Sequence, residues 1–94
     1  MNREEIKNVL IKRGYSKQGA ETASLDLTKI NDKLKPCLIE WFTKGIETDF
    51  EVGEFSVKGL MQRYGYKYPA ALLGINWILE DPETAIPIIK KGIR

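Results

Sequence analysis

The stretch LMQRYGYKYPAALLGINWIL, Leu60 to Leu79, decides the fold of this chain. A short helical segment ends at Gly65, and Pro69 suits the first turn of a second helix. The second segment is apolar on nearly every face, which is typical of a buried helix. We therefore predict a helix over 69–80 at the centre of the core. The side chains expected to be nearly inaccessible are Leu72, Ile75, Trp77 and Leu79.

Capping signals predict further helices on both sides of this stretch. Asn2 and Glu5 form a capping-box pattern at the start of a first helix, which Gly14 ends. Ser56 suits the cap of the segment before Gly65, and Asp81 followed by proline suits the start of a last helix. The predicted bounds are 3–13, 57–64 and 82–91.

Between the first two of these helices, apolar residues recur at alternating steps of three and four. The positions are Ala20, Ala23, Leu27, Ile30, Leu34, Cys37 and Trp41. The pattern keeps its phase across Pro36, so we predict one long helix, 17–44, kinked near Asp32–Pro36. Two helices that meet at Lys35 are the alternative. We expect this apolar seam to pack within its own chain, with a homodimer as the alternative.

The segment 46–55 differs in character because carboxylates alternate with large apolar residues. Its acidic residues are Glu47, Asp49, Glu51 and Glu54. We predict either a loop or a short hairpin that turns at Gly53 and Glu54. The spacing lacks the glycine and the final glutamate of a calcium-binding loop, so we expect solvated acids and no metal. Together these elements predict an all-α fold of about five helices in a single domain, 1–94.

Composition narrows the classes of function. The chain has 94 residues, 43% hydrophobic and 30% charged, with a net charge of +2 and both signs spread along it. A single cysteine, Cys37, excludes an internal disulfide, and no signal peptide or membrane span is evident, so we expect a cytoplasmic location. The chain has no histidine and no glycine-rich phosphate loop. We therefore expect no catalytic residue and no cofactor.

The two helices around Gly65 resemble the spacing of a DNA-reading helix-turn-helix. A recognition helix presents polar side chains near its N-terminus to base edges. The helix 69–80 offers Asn76 and Glu80, which both lie toward its other end. We do not expect it to read a duplex. A nucleic-acid-binding regulator with a degenerate helix-turn-helix over 57–80 is the alternative.

The positive indication of function lies in the connection between these helices. Three tyrosines occur within five residues there, interleaved with basic residues, and tyrosine and arginine are enriched in protein interfaces. We predict that at least one ring, Tyr66 or Tyr68, is partly exposed beside an apolar patch from the acidic segment. The predicted partner-binding residues are Phe50, Phe55, Arg63, Tyr64, Tyr66, Lys67 and Tyr68. The sequence thus favours a small interaction or regulatory module of bacterial or phage type, whose partner is a protein or a second copy of the chain.

Overall fold

A computed structural model describes residues 2–92, and in this part of the chain most residues are helical. Its α-helices are α1 (Arg3–Lys12), α2 (Lys17–Thr28), α3 (Lys35–Lys44), α4 (Val57–Tyr64), α5 (Tyr68–Glu80) and α6 (Pro82–Lys90). Two short strands, β1 (Glu51–Val52) and β2 (Phe55–Ser56), form a two-stranded sheet. The prediction of an all-α fold is confirmed. Each described helix falls short of the length and apolarity that a bilayer crossing requires.

The contacts divide the chain into two compact units, Met1–Ile30 and Asn31–Arg94. The first unit pairs α1 with α2, and α1 begins with the predicted capping box between Asn2 and Glu5. The Lys7 ammonium lies 3.6 Å from a carboxylate oxygen of Glu4 and 3.5 Å from one of Glu21, so one lysine side chain bridges the two helices. The first unit is therefore a helical hairpin with a buried face formed by Ile6, Leu10, Ala20, Ser24 and Leu27.

The predicted long helix over 17–44 is wrong, because helical structure stops at Thr28 and resumes in a short 3₁₀ turn at Asp32–Leu34. The side chain of Asn31 accepts a hydrogen bond from the backbone N–H of Lys33 at 2.9 Å, which caps the new start. Pro36 then falls in the first turn of α3, where its missing N–H costs no helical hydrogen bond. Two helices do replace the long one, as in the alternative, and the second begins at Lys35, but the first already ends at Thr28, so the two do not meet there.

The apolar seam is buried even though the helix is interrupted. Six of its seven residues are at most 5% exposed, and Ala23 is half-buried. Spacings of three and four therefore identified buried positions without establishing a continuous helix.

The acidic segment forms the hairpin, with Val52 paired with Phe55 and Glu51 paired with Ser56 in antiparallel register. Gly53 occupies the turn with φ of 58°, a conformation that glycine adopts without strain. Three groups then accept hydrogen bonds from the first three backbone N–H groups of α4. The Phe50 carbonyl accepts from Val57, an Asp49 carboxylate oxygen from Lys58, and the Ser56 hydroxyl from Gly59.

Helix α5 has one buried face and one partly exposed face. Leu72 and Ile75 are fully buried, as predicted, and Ile78 is 2% exposed. Trp77 and Leu79 are half-buried, so the prediction that they are nearly inaccessible is wrong. The buried positions follow the three-and-four spacing of an ordinary amphipathic helix, although most residues of the other face are also apolar.

Helices α4 and α5 approach closely at Gly74. A Cβ atom at this position would lie 3.0 Å from the Leu60 Cδ1 atom, so the Leu60 side chain would have to shift by a few tenths of an ångström to admit a larger residue. Helix α6 begins at Pro82 as predicted, but the Asp81 side chain makes no capping hydrogen bond.

Candidate functional site

The three tyrosines of the connection do not form one exposed cluster. Tyr68 is 1% exposed and Tyr64 is 8% exposed, whereas Tyr66 is half-buried. The prediction that at least one ring is partly exposed is confirmed for Tyr66, and it is wrong for Tyr68. The rings of Tyr64 and Tyr66 lie 5.8 Å apart at an angle of 38°, so the partly exposed ring rests against a buried one.

Tyr68 is a residue of the core. Its hydroxyl donates a hydrogen bond to the Thr48 carbonyl at 2.7 Å, and its ring stacks on Trp41 at 6.3 Å between centroids. Burial raises the pKa of Tyr68 well above its usual value, and the neighbouring Cys37 thiol adds to this shift. Tyr68 therefore fastens the first turn of α5 to α3 and to the loop that follows α3.

Cys37 lies in the same cluster and is 5% exposed. Burial is the main cause that raises the pKa of the Cys37 thiol, and a hydrogen bond with Tyr68 opposes this shift.

Because the thiolate is the reactive form, we expect iodoacetamide at mildly alkaline pH to modify the folded protein markedly more slowly than the protein in denaturant. Mass spectrometry of timed samples measures both rates. Equal rates would show that Cys37 is accessible and reactive in the fold.

Three of the predicted partner-binding residues come together in one groove. Phe55 from β2 and Arg63 and Tyr64 from α4 line a concave surface of about 410 Å³. The other lining residues are Glu54, Ser56, Gly59, Leu60 and Lys90. We call this surface the arginine groove. The Arg63 guanidinium lies over the Tyr64 ring, 5.8 Å from its centroid, and makes no ion pair with a carboxylate of residues 2–92.

The remaining predicted residues lie outside the lining of this groove. Phe50 is half-buried, and its carbonyl accepts the hydrogen bond from the Val57 amide. Lys67 is exposed immediately before α5, while Tyr68 is in the core. Tyr66 contacts the groove indirectly, through its ring contact with Tyr64. The structure thus assembles part of the predicted surface and excludes Tyr68 from it.

A second groove, which the sequence patterns did not predict, adjoins the first. It has a volume of about 590 Å³, and most of its lining residues are apolar. These residues are Val52, Gly53, Glu54, Phe55, Ile78, Leu79, Pro82, Ile86 and Lys90. We call it the aliphatic groove. The spacing of Pro82 and Ile86, four residues apart on one helix, is the sequence signal that could have indicated this face.

An ion pair lies where the two grooves meet. The Lys90 ammonium is 2.9 Å from a carboxylate oxygen of Glu54, which links α6 to the hairpin turn. Both side chains are more than half exposed, so solvent screens the interaction and its contribution to stability is small.

Asn76, the polar residue considered for base contact, has a different role in the structure. Its Oδ1 atom accepts a hydrogen bond from the backbone N–H of Asn31 at 2.8 Å.

Replacement of Asn76 by alanine would leave this partly buried N–H without its acceptor, and we expect a loss of about 1–3 kcal/mol in the free energy of unfolding. Urea denaturation measures the loss. Gln62→Ala, at an exposed position of α4, is the control and should change stability little; a similarly small effect at Asn76 would show that this bond contributes nothing.

The acidic segment shows no arrangement suited to a metal. Within residues 2–92, no three histidine, cysteine or carboxylate side chains converge on a common point. Asp49 instead accepts hydrogen bonds from the Phe50 and Lys58 amides at 2.9 Å and 3.0 Å. Its negative charge at the start of α4 also interacts favourably with the helix dipole and so stabilises the helix.

Comparison of the chain with models of protein families, with curated proteins and with solved structures finds no match. The two grooves and the residues that line them are therefore the basis on which a function can be assigned.

Proposed function

We propose that this protein is a small cytoplasmic interaction module that binds a segment of another protein in the arginine groove and performs no catalysis. The observation that carries the proposal is the convergence of Phe55, Arg63 and Tyr64 on one groove. A volume of about 410 Å³ lies in the range of pockets that receive one or two side chains or a small ligand.

The chemistry of the groove supports a partner with a negative charge. Arg63 lies against an aromatic face, which holds the guanidinium in place without neutralising it. A guanidinium in this position can form two parallel hydrogen bonds with a carboxylate. Phe55 and Tyr64 supply the aromatic surface that interfaces commonly use as anchors. An acidic side chain flanked by apolar residues therefore fits the groove.

Helix α5, the recognition helix of the alternative, is less suited to duplex DNA. The first turn of α5 would have to present polar side chains to base edges, but Tyr68, Pro69 and Ala71 in this turn are buried. Asn76 uses its oxygen in the bond to Asn31, and Glu80 is an exposed negative charge. These features favour protein contact over the alternative of a degenerate helix-turn-helix.

A randomised peptide library displayed on phage tests the proposal even though the partner is unidentified. Peptides selected on the purified protein should be enriched in acidic residues next to apolar ones. Their affinity, measured by isothermal calorimetry, should fall at least about tenfold in Arg63→Gln, because the only unpaired cation of the groove among residues 2–92 is removed.

Lys58→Gln is the matched control, since it removes the same charge from an exposed position of the same helix outside both grooves. It should bind the selected peptides as the wild type does. If no peptide is selected, or if Arg63→Gln and Lys58→Gln have equal effects, the proposal fails. Titration of duplex DNA at physiological salt tests the alternative, which requires sequence-selective binding that survives this salt.

A further inference from the structure

We infer that the aliphatic groove is the second half of the same binding site. The partner segment then carries an acidic side chain for the arginine groove and, a few residues away, a branched aliphatic side chain for the aliphatic groove. This inference rests on the proposed function and specifies the chemistry of the partner.

The two grooves are continuous because they share part of their lining. Glu54, Phe55 and Lys90 belong to both. Phe55 is half-buried on β2, so one aromatic side chain forms a wall of each groove. A segment that rests on Phe55 therefore has access to both grooves at once. Successive side chains of an extended strand point to opposite faces, so two side chains an even number of residues apart can enter one groove each.

The lining of the aliphatic groove favours a branched apolar side chain. Ile78 lines the groove and is buried. Leu79 and Ile86 are half-buried, so part of the apolar surface of these two side chains faces the groove and is not covered by residues 2–92. Burial of an aliphatic side chain against these residues removes apolar surface of both partners from water. The groove has little charge besides the Glu54–Lys90 pair, so a charged side chain would lose its hydration without a free counter-charge.

The charges where the two grooves meet favour an acidic side chain in the part of the partner segment that binds the arginine groove. The arginine groove is lined by two cations, Arg63 and Lys90, and by one carboxylate, Glu54. Glu54 already pairs with Lys90, which leaves an excess of one positive charge on Arg63. Because the existing pair is exposed and weakly held, a partner carboxylate can also compete with Glu54 for Lys90.

This competition gives a prediction with a distinctive sign. Glu54→Gln removes the competing carboxylate and should tighten the binding of selected acidic peptides several-fold. Lys90→Gln should weaken it. A purely structural role of the Glu54–Lys90 pair would instead make both substitutions act in the same direction, because each breaks the same ion pair.

The aliphatic half is tested from both sides of the complex. Ile86→Gln should lower the affinity for the selected peptides at least about tenfold. Ile88→Gln should leave the affinity unchanged, because Ile88 is a half-buried residue of α6 outside both grooves. Replacement of the aliphatic residue of the peptide by asparagine should produce the same loss with the wild-type protein. This arm needs no protein variant, so the test survives if Ile86→Gln fails to fold.

The outcomes separate the two proposals. Peptides that depend on Arg63 but are indifferent to Ile86 and to their own aliphatic residue overturn this inference and leave the proposed function intact. A failure to select any peptide overturns both. If sedimentation shows that the wild type self-associates and that Ile86→Gln is monomeric, the occupant of the groove is a second copy of the chain and the inference is overturned.

Discussion

Replacement of Tyr68 by alanine is expected to lower the free energy of unfolding by about 3–5 kcal/mol, the range for the loss of a buried aromatic side chain. The ring is 1% exposed and stacks on Trp41, so its removal leaves a cavity beside a second large side chain. The Thr48 carbonyl also loses the donor that now lies 2.7 Å away. Both effects act at the first turn of α5 and should add to each other.

Tyr66→Ala is the matched control, because it removes the same side chain two residues earlier from a half-buried position. We expect it to cost clearly less than Tyr68→Ala, because Tyr66 is only half-buried and its removal exposes less of the core. Tyr68→Phe keeps the ring and removes the hydrogen bond, for an intermediate loss of about 1–2 kcal/mol. Urea denaturation of the three variants measures these values. Equal losses for Tyr66→Ala and Tyr68→Ala would contradict the assignment of Tyr68 to the core.

Leu72→Ala is expected to cost about 2–5 kcal/mol, because Leu72 is fully buried in the middle of α5. Part of this loss is the transfer of the side chain to water, and part is the cavity that the closely packed helices cannot close. For a domain of this size we expect the melting temperature to fall by roughly 4–8 °C for each kcal/mol lost.

Leu73→Ala provides the comparison at the adjacent position. Leu73 is half-buried on the other face of the same helix, and its replacement should cost less than half as much as that of Leu72. Helix propensity favours alanine equally at both positions, so the difference between the variants reports burial alone. Thermal unfolding followed by circular dichroism gives both values. A larger loss at Leu73 would reverse the assigned faces of α5.

The boundaries of the helices were largely predictable because they depend on neighbours in sequence. The capping box of Asn2 and Glu5 and the caps at Ser56 and Gly65 are each satisfied by atoms within a few residues. The structure places α4 at the predicted 57–64, and the start of α5 differs by one residue. Local hydrogen-bonding chemistry is visible in a single sequence, and this explains the agreement.

The interruption between α2 and α3 was harder to predict because part of its cause is remote in sequence. The Asn31 cap and Pro36 are local signals that the regular apolar spacing outweighed in the prediction. The backbone N–H of Asn31, however, binds Asn76, which is 45 residues away. An extended conformation at Asn31 leaves this group outside any helix, and its acceptor becomes known only when the tertiary structure is known.

The candidate site was predictable in composition but not in arrangement. Tyrosines and basic residues in the connection pointed to α4, and Arg63 and Tyr64 do line a groove there. The periodicity did not show which ring faces the core, because Tyr64, Tyr66 and Tyr68 span a change from helix to loop to helix. The aliphatic groove escaped prediction because it joins β-hairpin residues to α5 and α6, and single-sequence periodicity describes each element separately.

The capped start of α4 has a consequence for the order of folding. Every bond that holds it joins residues between Asp49 and Gly59, so the closure of a chain segment no longer than about ten residues is sufficient to form it. Loops of this length close in roughly 10–100 ns, far faster than distant segments meet. The hairpin and the first turn of α4 can therefore form before the rest of the second unit is in place. They offer a nucleus against which α5 can collapse, so substitutions at Ser56 should slow folding more than they speed unfolding.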